Sequence, residues 1–322
     1  MNNVIPQLSL VVVSHNTKML TLQCLSSLQQ LAQQLDPFAC EVVLVDNASQ
    51  DGTVAAVQAQ FPTTRIIYNA ANLGFAMANN QAIRLCRGHY IGLVNSDAVY
   101  LRGDLRTVFE FLEQNPKVAL LGPRIEYPNG DIQTSNNAFP DLWTEILHTT
   151  RIARLIKDVR LRRFTAQKLH WLVGRVVREY LRVYVQADTS RSVDWVAASV
   201  VFFRRALLTQ IPTFNEAYPF YFEDSDWCWV LQNQGWRIWY HPSVTFLHWA
   251  DRAPGKAPHR HWRDLNRQRG KLLYFRRHFD WFTRLMLRIF LLAATGLRLL
   301  LFWSADWREH WALCRLLLSE SL

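Results

Sequence analysis

Four short apolar runs, each ending in a polar cluster, punctuate the N-terminal third of this chain, and that rhythm restricts its fold more than any other feature. Leu8 to Ser14 (LSLVVVS) is a continuous, largely β-branched run, the pattern of a strand buried on both faces. Glu41 to Val45 (EVVLV), 65–69 (RIIYN) and 90–95 (YIGLVN) repeat it. The stretches between read as helices. After Thr17, apolar residues recur at helical spacing at Leu20, Cys24, Leu25, Leu28, Leu31 and Leu35, and another helix is predicted from about Ala76 to Cys86. Strands alternating with helices of this length predict βαβ units and a largely parallel sheet, an α/β fold. In an open sheet of this kind, ligands bind beyond the carboxyl ends of the strands. Polar residues cluster there: Ser14-His15-Asn16, Asp46-Asn47, Asn69 to Asn72, and Asn95-Ser96-Asp97.

After Pro123 the pattern loosens. Residues 141–187 predict basic helices, 193–205 (VDWVAASVVFFRR) return to strand character, and 221–242 place an acidic group at a helix start with a Gly-marked exit into a strand. The 322 residues suffice for one large α/β domain with additions. Half of them are apolar, which argues against disorder. The N-terminus has no basic segment ahead of its apolar run and reads as a first strand, not a signal peptide. Five scattered cysteines (Cys24, Cys40, Cys86, Cys228, Cys314) form no C-x-x-C or Cys/His cluster, against a disulfide framework or structural zinc and in keeping with a reducing compartment.

The net charge of +10 is unevenly spread. Residues 151–191 hold 11 Lys/Arg against 3 Asp/Glu and residues 251–322 hold 14 against 6, while the rest of the chain is acidic. Such basic segments suit an anionic membrane surface or nucleic acid, or form a solvated face. No helix-turn-helix, zinc finger or ribonucleoprotein aromatic motif accompanies them, so no nucleic-acid partner is expected.

Several groups carry potential chemistry. Asp46 at a strand end suits a ribose or base N–H, and equally a turn. Asp97, at the mouth of the sheet, suits Mg²⁺ or Mn²⁺ shared with substrate phosphates. Gly74 in NLGFAMANN permits close backbone approach to a ligand, although neither a G-x-G-x-x-G nor a Walker A sequence is present. Glu223, Asp224 and Asp226 stand in an aromatic setting (FYFEDSDWCWV) where partial burial would tune a carboxylate for general-base work; helix-dipole complementarity explains one or two of them without function. His248 ends a strand-like run (SVTFLH), placed as a metal ligand or a structural histidine ahead of the loop DRAPGKAP.

Taken in order, VVVSHN, EVVLVDNASQDGT, NLGFAMANN, the strand ending NSD, DWVAAS…RR and YFEDSDWCW resemble the inverting family 2 glycosyltransferases of the GT-A fold, especially the bacterial rhamnosyltransferase-like branch. The resemblance covers roughly residues 6–280, and RQRGKLLYFRRHF (267–279) is similar to that branch's usual ending. It implies a Rossmann-like nucleotide-diphospho-sugar transferase with a mixed, mostly parallel sheet. On this resemblance Ser14, His15, Asn16, Asp46 and Asn47 line the nucleoside pocket, and Asn72, Gly74 and Asn80 shape the donor side. Asn95, Ser96 and Asp97 correspond to the D-x-D-type segment, with Asp97 on the metal and diphosphate. Asp224 is the implied catalytic base, with Glu223 or Asp226 orienting the acceptor. Trp195 walls the acceptor site and His248 is a further metal ligand. The branch commonly has Pro where Ser96 stands and Gly where Ala198 stands; the second change narrows the backbone beside the acceptor. Neither a Q-x-x-R-W motif nor several membrane spans is found, which favours transfer of a single sugar. The implied donor is dTDP-rhamnose, with UDP-sugars next; attachment to a membrane surface, read from the basic and C-terminal segments, suggests a polyprenyl-diphosphate-linked saccharide as acceptor, in cell-surface polysaccharide biosynthesis.

The expected organisation is a catalytic domain over 1–280, with a basic helical insertion at about 141–190, and a C-terminal membrane-association segment over 281–322. Leu285 to Trp303 is apolar but interrupted by Arg288 and Arg298, leaving nine uninterrupted residues against the ~20 of a spanning helix. With Trp281, Trp303, Trp307 and Trp311 flanking, the pattern fits a helix in the membrane interface; a core helix is the bland alternative. The expected location is cytoplasmic, on the inner face of the cell membrane. Two other readings stand beside this one. A sugar nucleotidyltransferase also uses an α/β sheet and a metal-binding Asp, but carries a Gly-rich N-terminal loop that VVVSHNTKML lacks. A binding module on a decayed transferase fold would have no need of Asp46, Asp97 and Asp224 together.

Overall fold

The computed structural model describes residues 5–33, 35, 40–150, 188–250, 260–301 and 307–319. Contacts divide the chain into two compact units. The first holds residues 1–137, 186–216 and 224–256; the second holds 138–185, 217–223 and 257–322. Residues 257–280, expected in the catalytic domain, thus group by contact with the C-terminal helices. Most of the basic insertion expected at 141–190, the loop DRAPGKAP and Trp303 lie outside the described residues.

The first unit is built on a nine-stranded mixed sheet. Its parallel half comprises β1 (Leu8–Ser14), β2 (Cys40–Asp46), β3 (Arg65–Tyr68) and β4 (Tyr90–Asn95) in the order β3-β2-β1-β4, with α1 (Lys18–Ala32), α2 (Thr53–Gln60) and α3 (Phe75–Ile83) as crossovers. The alternation that predicted βαβ units is therefore realised. The continuous apolar run of β1 is explained by burial on both faces: Leu8, Leu10 and Val12 join Cys24, Leu25, Leu28 and Leu31 of α1 in the main core, while α3 also packs on β1.

The order continues through β10 (Val200–Arg204), β6 (Val118–Glu126), β11 (Arg237–His248) and β5 (Ala98–Gly103), with β8 (Arg191–Val193) also on β11. β10 runs antiparallel between β4 and β6, and β11 is parallel to β6 but antiparallel to β5. A two-stranded sheet pairs β7 (Asn136–Asn137) with β9 (Trp195–Val196). The strand character read over 193–205 is thus split between β9 and β10, which lie in different sheets. Helix α4 (Leu105–Gln114) is capped by Asp104, whose side chain accepts from the Arg106 N–H.

In the second unit, α7 (Arg260–His278), α8 (Trp281–Leu301) and α9 (Trp307–Ser319) pack on one another, and α5 (Leu142–Thr150) packs on α8. The remaining helix, α6 (Glu223–Asn233), leaves a turn of the second unit and continues in the first. Lys271 of α7 and Glu145 of α5 form a buried ion pair at 2.5 Å. No described helix is long and apolar enough to cross a membrane.

Candidate active site

Register brings the polar strand ends of the first unit level with one another. Ser14 lies opposite Asp46, Asp46 opposite Tyr68, and Val13 opposite Asn95. Not all of these residues present their side chains. Ser14 is fully buried, with its hydroxyl bonded to Thr17 Oγ1 (3.0 Å) and Thr21 Oγ1 (2.9 Å); Thr17 in turn meets Ser96 Oγ at 3.1 Å. Ser14 and Ser96 therefore tie two strand ends to the start of α1.

Asn47 is the hub of the loops at these strand ends. Its amide oxygen accepts from Asn69 Nδ2 (3.1 Å) and Leu73 N (3.0 Å), and its Nδ2 donates to Asn72 Oδ1 (2.8 Å) and Gly74 O (3.2 Å). Asn72 Oδ1 also accepts from the Gly74 N–H. Gly74, at φ 81°, occupies the left-handed region that lets this loop turn into α3. Asn80 is buried and clamps the 214–216 loop, donating to Phe214 O (2.8 Å) and Glu216 Oε1 (2.9 Å). His15 and Asn16 are exposed at the end of β1. His15 Nδ1 lies 2.7 Å from Asn47 O, and Asn16 bridges to Ser49 and Gln50 in the turn after β2.

The two carboxylate oxygens of Asp46 differ in their surroundings. Oδ2 accepts from the Ser49 N–H at 3.0 Å, as a turn residue does, whereas the buried Oδ1 has no hydrogen-bond partner among the described residues. A buried carboxylate oxygen without a donor is costly unless something supplies one. A ligand N–H or hydroxyl at this strand end meets that need.

The antiparallel pairing of β5 with β11 sets His248 opposite Ala98 and so beside Asp97. His248 Nε2 lies 3.1 Å from Asp97 Oδ1 and 3.4 Å from Asn95 Nδ2, while Nδ1 faces Gln133 Oε1 at 2.8 Å. The amide oxygen of Gln133 fixes the Nδ1 proton, which leaves Nε2 either protonated against the carboxylate or aiming a lone pair where Asp97 aims its charge. In the second arrangement the two side chains are able to share a cation. Among the described residues no group of three or more His, Cys, Asp or Glu converges to hold a metal. The donor set fits a divalent ion completed by water and substrate phosphate oxygens.

Asp224, half-buried in the first turn of α6, accepts hydrogen bonds from the backbone N–H groups of Ser225 (2.8 Å) and Ala198. Burial pushes its carboxyl above the ordinary range, and those two hydrogen bonds offset part of the shift. The adjoining Ser199 carbonyl accepts from the Asn95 N–H at 2.8 Å, so the 198–199 loop links Asp224 to the strand that ends at Asn95 and Asp97. Asp226 is buried, Trp195 is partly buried on β9, and Glu223 is buried and grouped with the second unit.

Sequence reasoning missed two features. Gln133 has no strand or motif to mark it. Gly270 in the 267–279 segment meets the carbonyl of Tyr221 so closely that a Cβ would collide with it, and Arg267 stacks 4.4 Å over the Tyr221 ring. Both support the left-handed pair Tyr221 (φ 66°) and Phe222 (φ 71°), from which α6 departs.

Solved structures share this architecture. The mannosyltransferase PcManGT from Pyrobaculum calidifontis, in complex with GDP-Man and Mn²⁺, superposes with a TM-score of 0.52 at 17% identity, over 99% of this chain and 77% of that one. Residues 1–349 of S. aureus TarS give 0.52 at 15% identity, over 96% and 78%. The fold is that of the GT-A glycosyltransferases. The family model for glycosyl transferase family 2 matches residues 9–167. N-acetylglucosaminyl-diphospho-decaprenol L-rhamnosyltransferases of two Mycobacterium tuberculosis strains are each 26% identical over 232 residues, 68% of this chain and 70% of theirs. Residues 9–167 thus carry the glycosyl transferase family 2 domain, and the chain is similar to rhamnosyltransferases of that family.

Proposed function

We propose that this glycosyltransferase moves one sugar, rhamnose from dTDP-rhamnose, onto a polyprenyl-diphosphate-linked saccharide with inversion at the anomeric carbon. The observation that carries the reading is the Asp97–His248 pair beside Asn95, joined through the 198–199 loop to Asp224. Asp46 and the loops gathered by Asn47 bind the nucleoside. Asp97 and His248 are the residues that would hold Mg²⁺ or Mn²⁺, which would supply positive charge to offset the negative charge developing on the departing diphosphate. Asp224 takes the proton of the acceptor hydroxyl as that oxygen attacks the anomeric carbon opposite the leaving group, and one such displacement inverts the centre. Trp195 walls the acceptor site, and Glu223 or Asp226 orients the acceptor. The sugar and the lipid-linked acceptor are supported by the names of the mycobacterial relatives. A lipid-linked acceptor places the protein at the inner face of the cell membrane, in cell-surface polysaccharide biosynthesis.

The test is a thermal-shift screen against nucleotide-sugars, each with and without Mg²⁺ or Mn²⁺. A ligand that binds only the native state raises its stability with occupancy. Metal-dependent stabilisation by the thymidine series, lost in Asp97→Ala, is expected. Stabilisation by no nucleotide-sugar at millimolar concentration would overturn the reading. Synthesis of a nucleotide-sugar from a nucleoside triphosphate and a sugar phosphate would replace it with nucleotidyl transfer.

A further inference from the structure

Helix α8 is built the wrong way round for a helix facing water. Its buried positions include Leu287, Leu291 and Thr295, as expected of a packed face. Its arginines lie towards that same side: by helical spacing Arg284 and Arg288 fall with Leu287, Leu291 and Thr295, both are only partly exposed, and Arg288 Nη1 donates to the Leu317 carbonyl of α9 at 3.2 Å. The exposed positions are instead Phe282 (56%), Ile289 (51%), Ala293 and Leu297 (56%), which recur on one stripe. Gly296, beside that stripe, opens onto free space. The stripe spans about 22 Å at 1.5 Å per residue and carries no charged side chain. A water-facing helix puts its charges outward and its leucines inward, so this face is made for something other than water.

We infer that the outward stripe of α8, Phe282, Ile289, Ala293 and Leu297, is the surface by which the protein seats itself in the interface of an anionic bilayer; this rests on the peripheral-membrane reading above and names the residues that carry it. Charge selects this occupant. Arg276 and Arg277 are exposed just ahead of α8, and exposed Trp281 stands at its start, the grouping of cations and indole that anionic headgroups favour. Asp280 is the acidic residue in that turn, and it is occupied in capping the helix through the Thr283 N–H and hydroxyl, both at 3.0 Å. Residues 251–322 carry 14 basic against 6 acidic residues, so a second copy would bring like charge against like. The inward arginines are then a device for keeping charge out of the acyl region while binding the neighbouring helix.

The experiment is flotation of the full chain with phosphatidylcholine–phosphatidylglycerol vesicles and with phosphatidylcholine vesicles, at low and high salt. Its comparison is the triple variant F282S/I289S/L297S, with melting curves for each protein. The single variant I289E repeats the test with a smaller perturbation. We expect the natural chain to float with the anionic vesicles. The triple variant should partition about a hundredfold more weakly, with an unchanged or higher melting temperature, since three half-exposed apolar side chains are removed. Arg276→Glu with Arg277→Glu should weaken binding to the anionic vesicles and leave less salt dependence. Equal flotation of natural chain and triple variant would overturn the assignment to α8 and leave membrane attachment standing. Failure of the natural chain to float would remove both. A dimer that the triple variant converts to monomer, without flotation, would make the stripe a contact between copies and overturn the proposal.

Discussion

Replacing Asp224 with Asn separates the chemistry of this carboxylate from its place in the structure. Asn keeps an oxygen that accepts from the Ser225 and Ala198 N–H groups, so the start of α6 and the 198–199 loop should stay in position. What is lost is the ability to take a proton. A positioned general base contributes ~10²–10⁴-fold, or about 3–5 kcal/mol of barrier, and turnover should fall by that amount. Donor affinity, read by calorimetry with the nucleoside diphosphate and metal, should change less than about threefold. Stability should move the other way. Burial raises the Asp224 carboxyl above its unfolded value, so the native state holds the proton more tightly; its stabilising contribution is complete below the ordinary carboxylate range and is lost as pH rises through the folded value. At neutral pH the natural chain buries a charge that the neutral amide of the variant avoids. Asp224→Asn should therefore melt higher at pH 7, by ~2–4 °C for each kcal/mol relieved, and the gap should close on acidification towards about pH 4. Turnover within about threefold of the natural chain, or a loss of donor binding matching the loss of turnover, would refute the assignment of Asp224 as base.

Three further outcomes are expected. Asp46→Asn should weaken donor binding by about 10- to 100-fold with little change in kcat, because it alters the buried oxygen left for the ligand; an unchanged KM would count against it. Gln133→Leu removes the oxygen that fixes the His248 ring, and should lower apparent Mn²⁺ affinity ~10- to 100-fold, measured by metal titration of the nucleoside-diphosphate-dependent melting shift. Gly270→Ala should destabilise the protein by ~1–3 kcal/mol in urea, since its Cβ collides with the Tyr221 carbonyl; Gly130→Ala, where nothing lies near, serves as the comparison and carries only the left-handed backbone penalty.

The parallel half of the sheet was legible because each strand is a local event. An apolar run, a polar end and an amphipathic return helix define it within about thirty residues, which is the span of one βαβ unit. The antiparallel half was not, since β10 inserts between β4 and β6 and β11 reaches β5 through pairings distant in sequence. The site shows the same division. The resemblance brought Asp97 and His248 to one point although no local pattern joins them, and the structure sets them 3.1 Å apart. It could not divide side chains that face a ligand from those that hold the frame. Ser14 and Asn80 stand in the expected segments yet are buried and spend their polar atoms on neighbours, whereas one buried oxygen of Asp46 has no hydrogen-bond partner among the described residues. Burial and hydrogen-bond satisfaction decide that difference, and neither is written in spacing.

The meeting of Asp97 with His248 has a consequence for when the protein becomes competent. The two residues adjoin only because β11 pairs antiparallel with β5, in a register that shifts between Thr245 and Phe246. Gly103 (φ 112°) lets β5 pass against the Ser243 carbonyl. Among the described strands β11 is the last to emerge during synthesis, and its pairings are among the slow, non-local ones. A nascent chain that has folded its first four strands already displays Asp46 and Asn47, yet holds only one member of the proposed metal pair. Donor binding that depends on metal is then a certificate of completed folding. On the proposed metal site, unfinished chains would bind the nucleotide-sugar more weakly than the complete protein.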